Sequence, residues 1–475
     1  MRVVKVSLYE QVYTPHMLTS PLRRVKSKVQ EKYPDVNFVA LAGIVFWYLA
    51  LFPGRLSYDS AEAIRLIQVG KSTDMWSAPY FNFLRLTTFG GKTLFLSSAI
   101  SISFLFFAIK HLISQLPLKK KTSRLTLSCI SLSPLFGAFG VTVSHDVFQA
   151  AGIIMLIFIE LKKKNSLIFF SKDFYHVILA FICLIMTHGG IAIILSYLVL
   201  NLIRRNFRLL LHVSPAFILI FSIFSVDVKK HDDLQYIQVI ADMKCIAQHP
   251  DADLSEADWK ILSKIAPIRE WKNQVSCAMV DYLTGALPSM NERAISSVEL
   301  IRTFLRIVSH NPQIAVYQHI MRSTVALPPP FFMPPQNQIE WGYKKPIGLN
   351  SNSELQQGIE LLHSSIDEPS VKKQFSIFKP LEYIALLNVF LINQASWFWS
   401  WGGFWLWFII ICWQKLYKGN KLRDIYISIY PIIALHVFLF IFSPHSDGRY
   451  VMGTILVGNI SALILIIDKL SQNKN

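Results

Sequence analysis

Apolar runs of membrane-crossing length alternate along this chain with short clusters of lysine and arginine, and this alternation limits the fold more than any other feature. A helix needs roughly 20 apolar residues to cross the hydrocarbon core of a bilayer. Runs near that length lie at 37–53, 94–114, 125–143, 147–161, 174–188, 190–203, 209–226, 397–414, 425–443 and 450–468. Several are short, and the pairs 125–143/147–161 and 174–188/190–203 are open to merging or to re-entrant geometry. The basic clusters fall in every second connector. Arg23, Arg24, Lys26, Lys28 and Lys32 precede the first run, and Lys119, Lys120, Lys121 and Arg124 follow the second. Lys162, Lys163, Lys164 and Lys172, then Arg204, Arg205 and Arg208, then Lys415, Lys418, Lys421 and Arg423 continue the series. The remaining short connectors hold almost no Lys or Arg. Positive charge stays cytoplasmic, so the pattern predicts an all-α integral membrane protein of the plasma (inner) membrane. It has about ten transmembrane helices and both termini in the cytoplasm.

Composition agrees. Hydrophobic residues make up 52% of the chain, mean hydropathy is +0.39, and only 16% of residues are charged, against about a quarter in soluble proteins. The net charge of +17 would suggest nucleic acid on a soluble protein. Here its placement between apolar runs accounts for it as membrane orientation, and no nucleic-acid partner is expected. The first 36 residues are polar and basic, with no cleavable signal pattern, and form a cytoplasmic segment ahead of an uncleaved anchor.

Residues 37–226 are then a transmembrane module with a first outer loop at 54–93. Residues 227–396 form a mostly helical extracytoplasmic domain inserted between spans seven and eight, and 397–475 complete the bundle. In the inserted domain Leu254–Ile265 reads as a helix with Ser255 as N-cap, and Ser296–Val308 as an amphipathic helix carrying Arg302 and Arg306. Pro328–Pro335 is an extended loop, residues 380–393 an interfacial helix, and Trp397, Trp399, Trp401, Trp405 and Trp407 an aromatic belt. Of the five cysteines, Cys129, Cys183 and Cys412 lie in apolar runs. Cys245 and Cys277 share the outer domain and are either a disulfide or two free thiols.

The ionisable residues are unevenly placed. Glu160, Asp173 and Asp468 sit at cytoplasmic ends of spans, and His436 is the main mid-span exception. Coupled transporters need such groups near the midplane, so this pattern argues against coupled transport. The outer connectors, by contrast, hold Asp59 in PGRLSYDS, His145 and Asp146 in SHDV, His188 in THGG, and His445, Asp447 and Arg449 in SPHSDGRY. P-loop, GxSxG and HExxH patterns are absent, leaving ATP-driven transport and the common hydrolase chemistries without support.

The segment Pro53-Gly54-Arg55-Leu56-Ser57-Tyr58-Asp59-Ser60 after the first span, Asp146 after the third, and Arg449-Tyr450 in the last outer turn resemble the GT-C superfamily of polytopic membrane glycosyltransferases, in a poorly characterised bacterial branch. Gln238–Pro267 and His310-Asn311-Pro312 add to the likeness. Thr187-His188-Gly189-Gly190 lacks the basic residue many members carry there, and Met452-Gly453 stands where many have proline.

The resemblance implies transfer of a sugar from a polyprenyl-phosphate carrier to an acceptor glycan, lipid or protein at the outer leaflet, with inversion. Asp59 is then the general base that takes the acceptor's proton, and Asp146 is the second catalytic acid. Arg449, whose guanidinium can fork two bonds to phosphate, binds the donor phosphate with His188 and Tyr450. Tyr58, His145 and Asp447 support the acceptor. Arg302 and Arg306 are alternative phosphate ligands. The sequence does not decide whether a divalent metal or other cofactor takes part. A polysaccharide polymerase, ligase or exporter component remains an alternative, although such proteins lean on more outer arginines than this chain has.

Overall fold

The computed structural model describes residues 38–56, 58–70, 77–165, 172–204, 218, 222, 237–273, 291, 294–323, 326–327, 380–381, 384, 401–417, 422–442 and 448–472. Among them the chain is all-α apart from one pair of two-residue strands.

The elements run in this order: α1 (Phe38–Ala50), β1 (Arg55–Leu56), α2 (Tyr58–Gln68), α3 (Ala78–Thr87), α4 (Phe95–Gln115), α5 (Lys120–Leu132), α6 (Pro134–Gly140), β2 (Thr142–Val143), α7 (His145–Asn165), α8 (Lys172–Leu184) and α9 (His188–Ile203). After these come α10 (Ile237–Ala247), α11 (Glu256–Ile265), α12 (Ile268–Lys272), α13 (Ser297–His310) and α14 (Pro312–Arg322). The last are α15 (Gly402–Leu416), α16 (Leu422–Phe442), a 3-10 turn (Gly448–Val451) and α17 (Met452–Gln472). Phe95–Gln115 and Ile425–Phe442 are long and apolar enough to cross a membrane, and Phe38–Ala50, Tyr175–Leu184, His188–Ile203, Gly402–Leu416 and Met452–Ile467 are shorter apolar helices.

Helix α7 is the axis of the bundle. Every residue from Asp146 to Leu161 is buried, because α4, α8, α9, α16 and α17 pack around it. A helix apolar on all sides stays folded only when sheathed in this way. The outer helices are apolar on their outward faces as well: Val45, Leu195, Val199, Val437 and Ile466 are exposed.

Helix α5 buries small polar residues alongside Leu127 and Ile130. It turns Thr122, Ser123, Thr126, Ser128 and Ser131 inward and Leu125 and Leu132 outward. Ser128 and Ser131 donate to the carbonyls of Arg124 and Leu127 at 2.9 and 2.7 Å, so these two hydroxyls meet the neighbouring helices satisfied by their own backbone.

The run at 125–143 is not one continuous span. Ser133-Pro134 ends α5, since proline cannot donate the next helical bond, and the chain continues as α6 and β2. The belt of tryptophans also differs from expectation. Trp401 and Trp405 are buried in packing and Trp407 is exposed. Residues 209–226 lie almost wholly outside the described residues, as do Trp397, Trp399, Pro328–Pro335 and most of 380–393.

Helices α10–α14 enclose a separate core of Ile240, Met243, Ile246, Leu262, Ile265, Trp271, Leu300 and Ile307. Ser255 caps α11 as expected, and the cap is a reciprocal capping box with Asp258. The Lys244 ammonium is buried and donates to the carbonyls of Glu270, Trp271 and Asn273, closing the C-terminal end of α12. Cys245 is disulfide-bonded, whereas Cys129, Cys183 and Cys412 are free, and Cys277 lies outside the described residues. This domain is tied to the bundle. Ser323 Oγ donates to the Phe440 carbonyl at 2.8 Å, and Trp401 Nε1 to the Leu327 carbonyl at 3.0 Å. His436 lies 2.8 Å from the Ala326 carbonyl through Nδ1 and 3.0 Å from Thr454 Oγ1 through Nε2. The carbonyl only accepts, so Nδ1 carries the proton, and His436 is a structural clasp.

Candidate functional site at the N-terminal end of helix α7

Strands β1 and β2 run parallel, with Arg55 beside Thr142 and Leu56 beside Val143. Each strand leads directly into a helix. Asp59 stands three residues beyond Leu56 in the first turn of α2, and Asp146 three residues beyond Val143 in the first turn of α7. Two carboxylates distant in sequence therefore follow paired strands at the same offset from one ladder. The positive end of each helix dipole favours a carboxylate at that position.

Local chemistry fixes both turns. Ser144 accepts from the Asp146 N–H at 3.2 Å and donates to Asp146 Oδ2 at 3.0 Å. His145 Nε2 stands 3.5 Å from Asp146 Oδ1. His145 Nδ1 is buried and has no hydrogen-bond partner among the described residues, which leaves a polar atom at this site for a ligand or water to satisfy. On the other side, Asp59 is partly buried and the neighbouring Ser60 fully so. Ser60 Oγ and Tyr80 Oη share a hydrogen bond at 2.8 Å. The Tyr80 ring lies 5.4 Å from the His145 ring, centroid to centroid. Tyr80 thus joins the Asp59 turn to the Asp146 turn.

Two further turns that carry candidate residues approach the same end of α7. Gly189 follows His188, and a Cβ placed on it would lie 3.1 Å from Gln149 Nε2, one helical turn past His145. His188 is the first residue of α9 and is exposed. Thr187 caps this helix, accepting from the Gly190 N–H at 2.8 Å. The Gly448–Val451 turn, which carries Arg449 and Tyr450, packs against α7. Just beyond it, a Cβ on Gly453 would lie 3.3 Å from Ala150 Cα. Tyr450 is half-buried against the core. The side chains of Tyr58 and Arg449 lie outside the described residues, as do His445 and Asp447 entirely.

One sequence expectation changes. Arg306, an alternative phosphate ligand from sequence, has its Nη2 and Nε 2.6 and 2.7 Å from Asp258 Oδ1, so its guanidinium binds a carboxylate of its own domain. Tyr80, Ser144 and Gln149 were not identified from sequence. Ser77 before Ala78-Pro79 was the available signal for the helix that carries Tyr80, since a serine cap followed by proline opens helices. Among the described residues no group of three His, Cys, Asp or Glu side chains is arranged to hold a metal ion.

No family model, curated protein or solved structure matches this chain.

Proposed function

We propose that this chain is a multi-pass plasma-membrane glycosyltransferase of GT-C type. It crosses the bilayer about ten times with both termini in the cytoplasm, and it transfers a sugar from a polyprenyl-phosphate carrier to an acceptor at the outer leaflet. What carries this reading is the β1–β2 pairing, whose register brings the Asp59 and Asp146 turns side by side at the end of α7 that the basic clusters assign to the outside. The turns bearing His188 and Arg449 close on the same end.

In the proposed reaction the acceptor oxygen attacks the anomeric carbon while the bond from that carbon to the phosphate oxygen breaks. Asp59 takes the acceptor's proton, and the polyprenyl phosphate departs with the electron pair. No general acid is required, since phosphate is a good leaving group. Arg449, His188 and Tyr450 hold the phosphate; an arginine fork matches its oxygens where lysine offers only a point charge. Asp146, held by Ser144 and beside His145, orients the acceptor together with the vacant hydrogen-bonding position on His145 Nδ1.

The test is transfer from radiolabelled polyprenyl-phosphate sugars in membranes containing the wild type, Asp59→Asn or Asp146→Asn. Removing a positioned general base lowers turnover by about 100-fold or more, so each variant should insert at wild-type level and lose transfer. Wild-type transfer by Asp59→Asn would remove the base from the scheme.

A further inference from the structure

The segment joining α3 to α4 places apolar side chains where an outer loop would be expected to meet water. Leu86 is 70% exposed, Phe89 54% and Phe95 38%, so this short segment presents three uncovered apolar side chains. The rings of Phe89 and Phe95 stack with centroids 6.2 Å apart. Phe89 holds φ at +53°, and it is the one non-glycine residue in the left-handed region among those described. That conformation is unfavourable for a residue that carries a side chain. Gly90 and Gly91 beside it also have positive φ, so the turn already has residues that carry such angles without strain. Phenylalanine at this position instead directs a ring outward. Exposed Arg85 and Lys92 flank the patch. Phe95 opens α4, the span whose other end meets the Lys119–Arg124 cluster, so the patch continues the outward apolar face of a membrane-crossing helix at its outer end.

We infer that the tip Arg85–Phe95 is a membrane anchor. Leu86, Phe89 and Phe95 enter the acyl region of the outer leaflet while Arg85 and Lys92 remain at the level of lipid phosphates, the arrangement of interfacial segments with a basic rim. The inference rests on the proposed membrane topology and adds a consequence for the site. Helix α3 runs from this tip to Tyr80, which bonds Ser60 and contacts the His145 ring. Anchoring therefore fixes α3 at one end by lipid and at the other by the catalytic turns, and couples the geometry between the carboxylate turns to the bilayer.

The full-length protein, with Cys129 replaced by serine, is labelled with an environment-sensitive fluorophore at Phe89→Cys, Val45→Cys or Ser263→Cys and placed in nanodiscs containing nitroxide-labelled phospholipids. Val45 is an outward residue of α1, and Ser263 is exposed on the inserted domain. The label at position 89 should be quenched by lipid nitroxide about threefold more than the label at 263 and resist an aqueous quencher, as for a group at the acyl boundary. Quenching at 45 but not at 89 overturns the anchor and leaves the topology standing; quenching at neither overturns the membrane topology itself. The double variant Arg85→Ala/Lys92→Ala should reduce quenching at 89 more in anionic than in zwitterionic discs. An unchanged response in both removes the basic rim from the account.

Discussion

At the scale of residues, Asp258 and Tyr80 show how single side chains join elements, one for stability and the other for the site. Asp258 is completely buried, yet it takes the Ser255 hydroxyl at 2.6 Å and the Arg306 guanidinium. Burial alone would raise its pKa; the bonds from Ser255 and Arg306 outweigh that and hold it below the usual carboxylate range. The unfolded chain, with a normal aspartate near 3.9, then binds protons more readily than the folded one. The stabilisation is fully present above that pH and is lost as pH falls through the lower, folded value. Asp258→Asn should destabilise the inserted domain by roughly 3 kcal/mol and blunt its unfolding below pH 4, read by hydrogen exchange of α11 and α13. Wild-type exchange in the variant would assign the stability elsewhere. Tyr80→Phe keeps the ring beside His145 but leaves Ser60 without that partner, at a cost of about 1 kcal/mol. It should lower sugar transfer about tenfold with little change in melting temperature. Melting and transfer falling together would make Tyr80 merely structural. The Ser255 cap was legible because its partner is three residues away. The partner of Arg306 was not, because Asp258 lies on another helix and a sequence does not state which turns of two helices face each other.

At the scale of elements, α7 and the β1–β2 pair position the site. The apolar run at 147–161 was readable as a helix, and it forms most of the buried α7. The strands were not readable, since two residues each are too few to display a period of two. Gly54 shows what the pairing requires. Its φ is +132°, and an added Cβ would stand 2.6 Å from Ser98 Cβ of α4, so Gly54→Ala meets both backbone strain and a collision. This variant should lose about 2–3 kcal/mol of stability and its transfer activity together, because β1 must move away from α4 and carries the Asp59 turn with it. A variant that melts like wild type would show that β1 tolerates the shift. Gly137 makes a comparable approach, its missing Cβ 2.0 Å from the Trp47 ring, and lets α6 lie flat on α1 after the break at Pro134. Serine-lined α5 and that proline were visible in the sequence, but hydropathy averaged over 125–143 conceals a broken helix.

At the scale of the whole molecule, the inserted domain and the bundle should face different compartments from the cytoplasmic clusters. Cys245 is disulfide-bonded, and disulfides persist in oxidising compartments, as the proposed external placement of this domain requires. In intact cells a membrane-impermeant maleimide should label Ser263→Cys, whereas Lys121→Cys, in the basic cluster at the start of α5, should react only after lysis. The reverse pattern would invert the bundle and place the Asp59 and Asp146 turns in the cytoplasm. The direct test of the account is a cryo-electron microscopy map of the full-length protein in nanodiscs with a polyprenyl-phosphate sugar bound. The account predicts phosphate density within hydrogen-bonding reach of Arg449, with the sugar facing a cavity lined by both Asp59 and Asp146. A phosphate bound elsewhere, or the two carboxylates opening into separate cavities with Arg449 turned toward lipid, would contradict it.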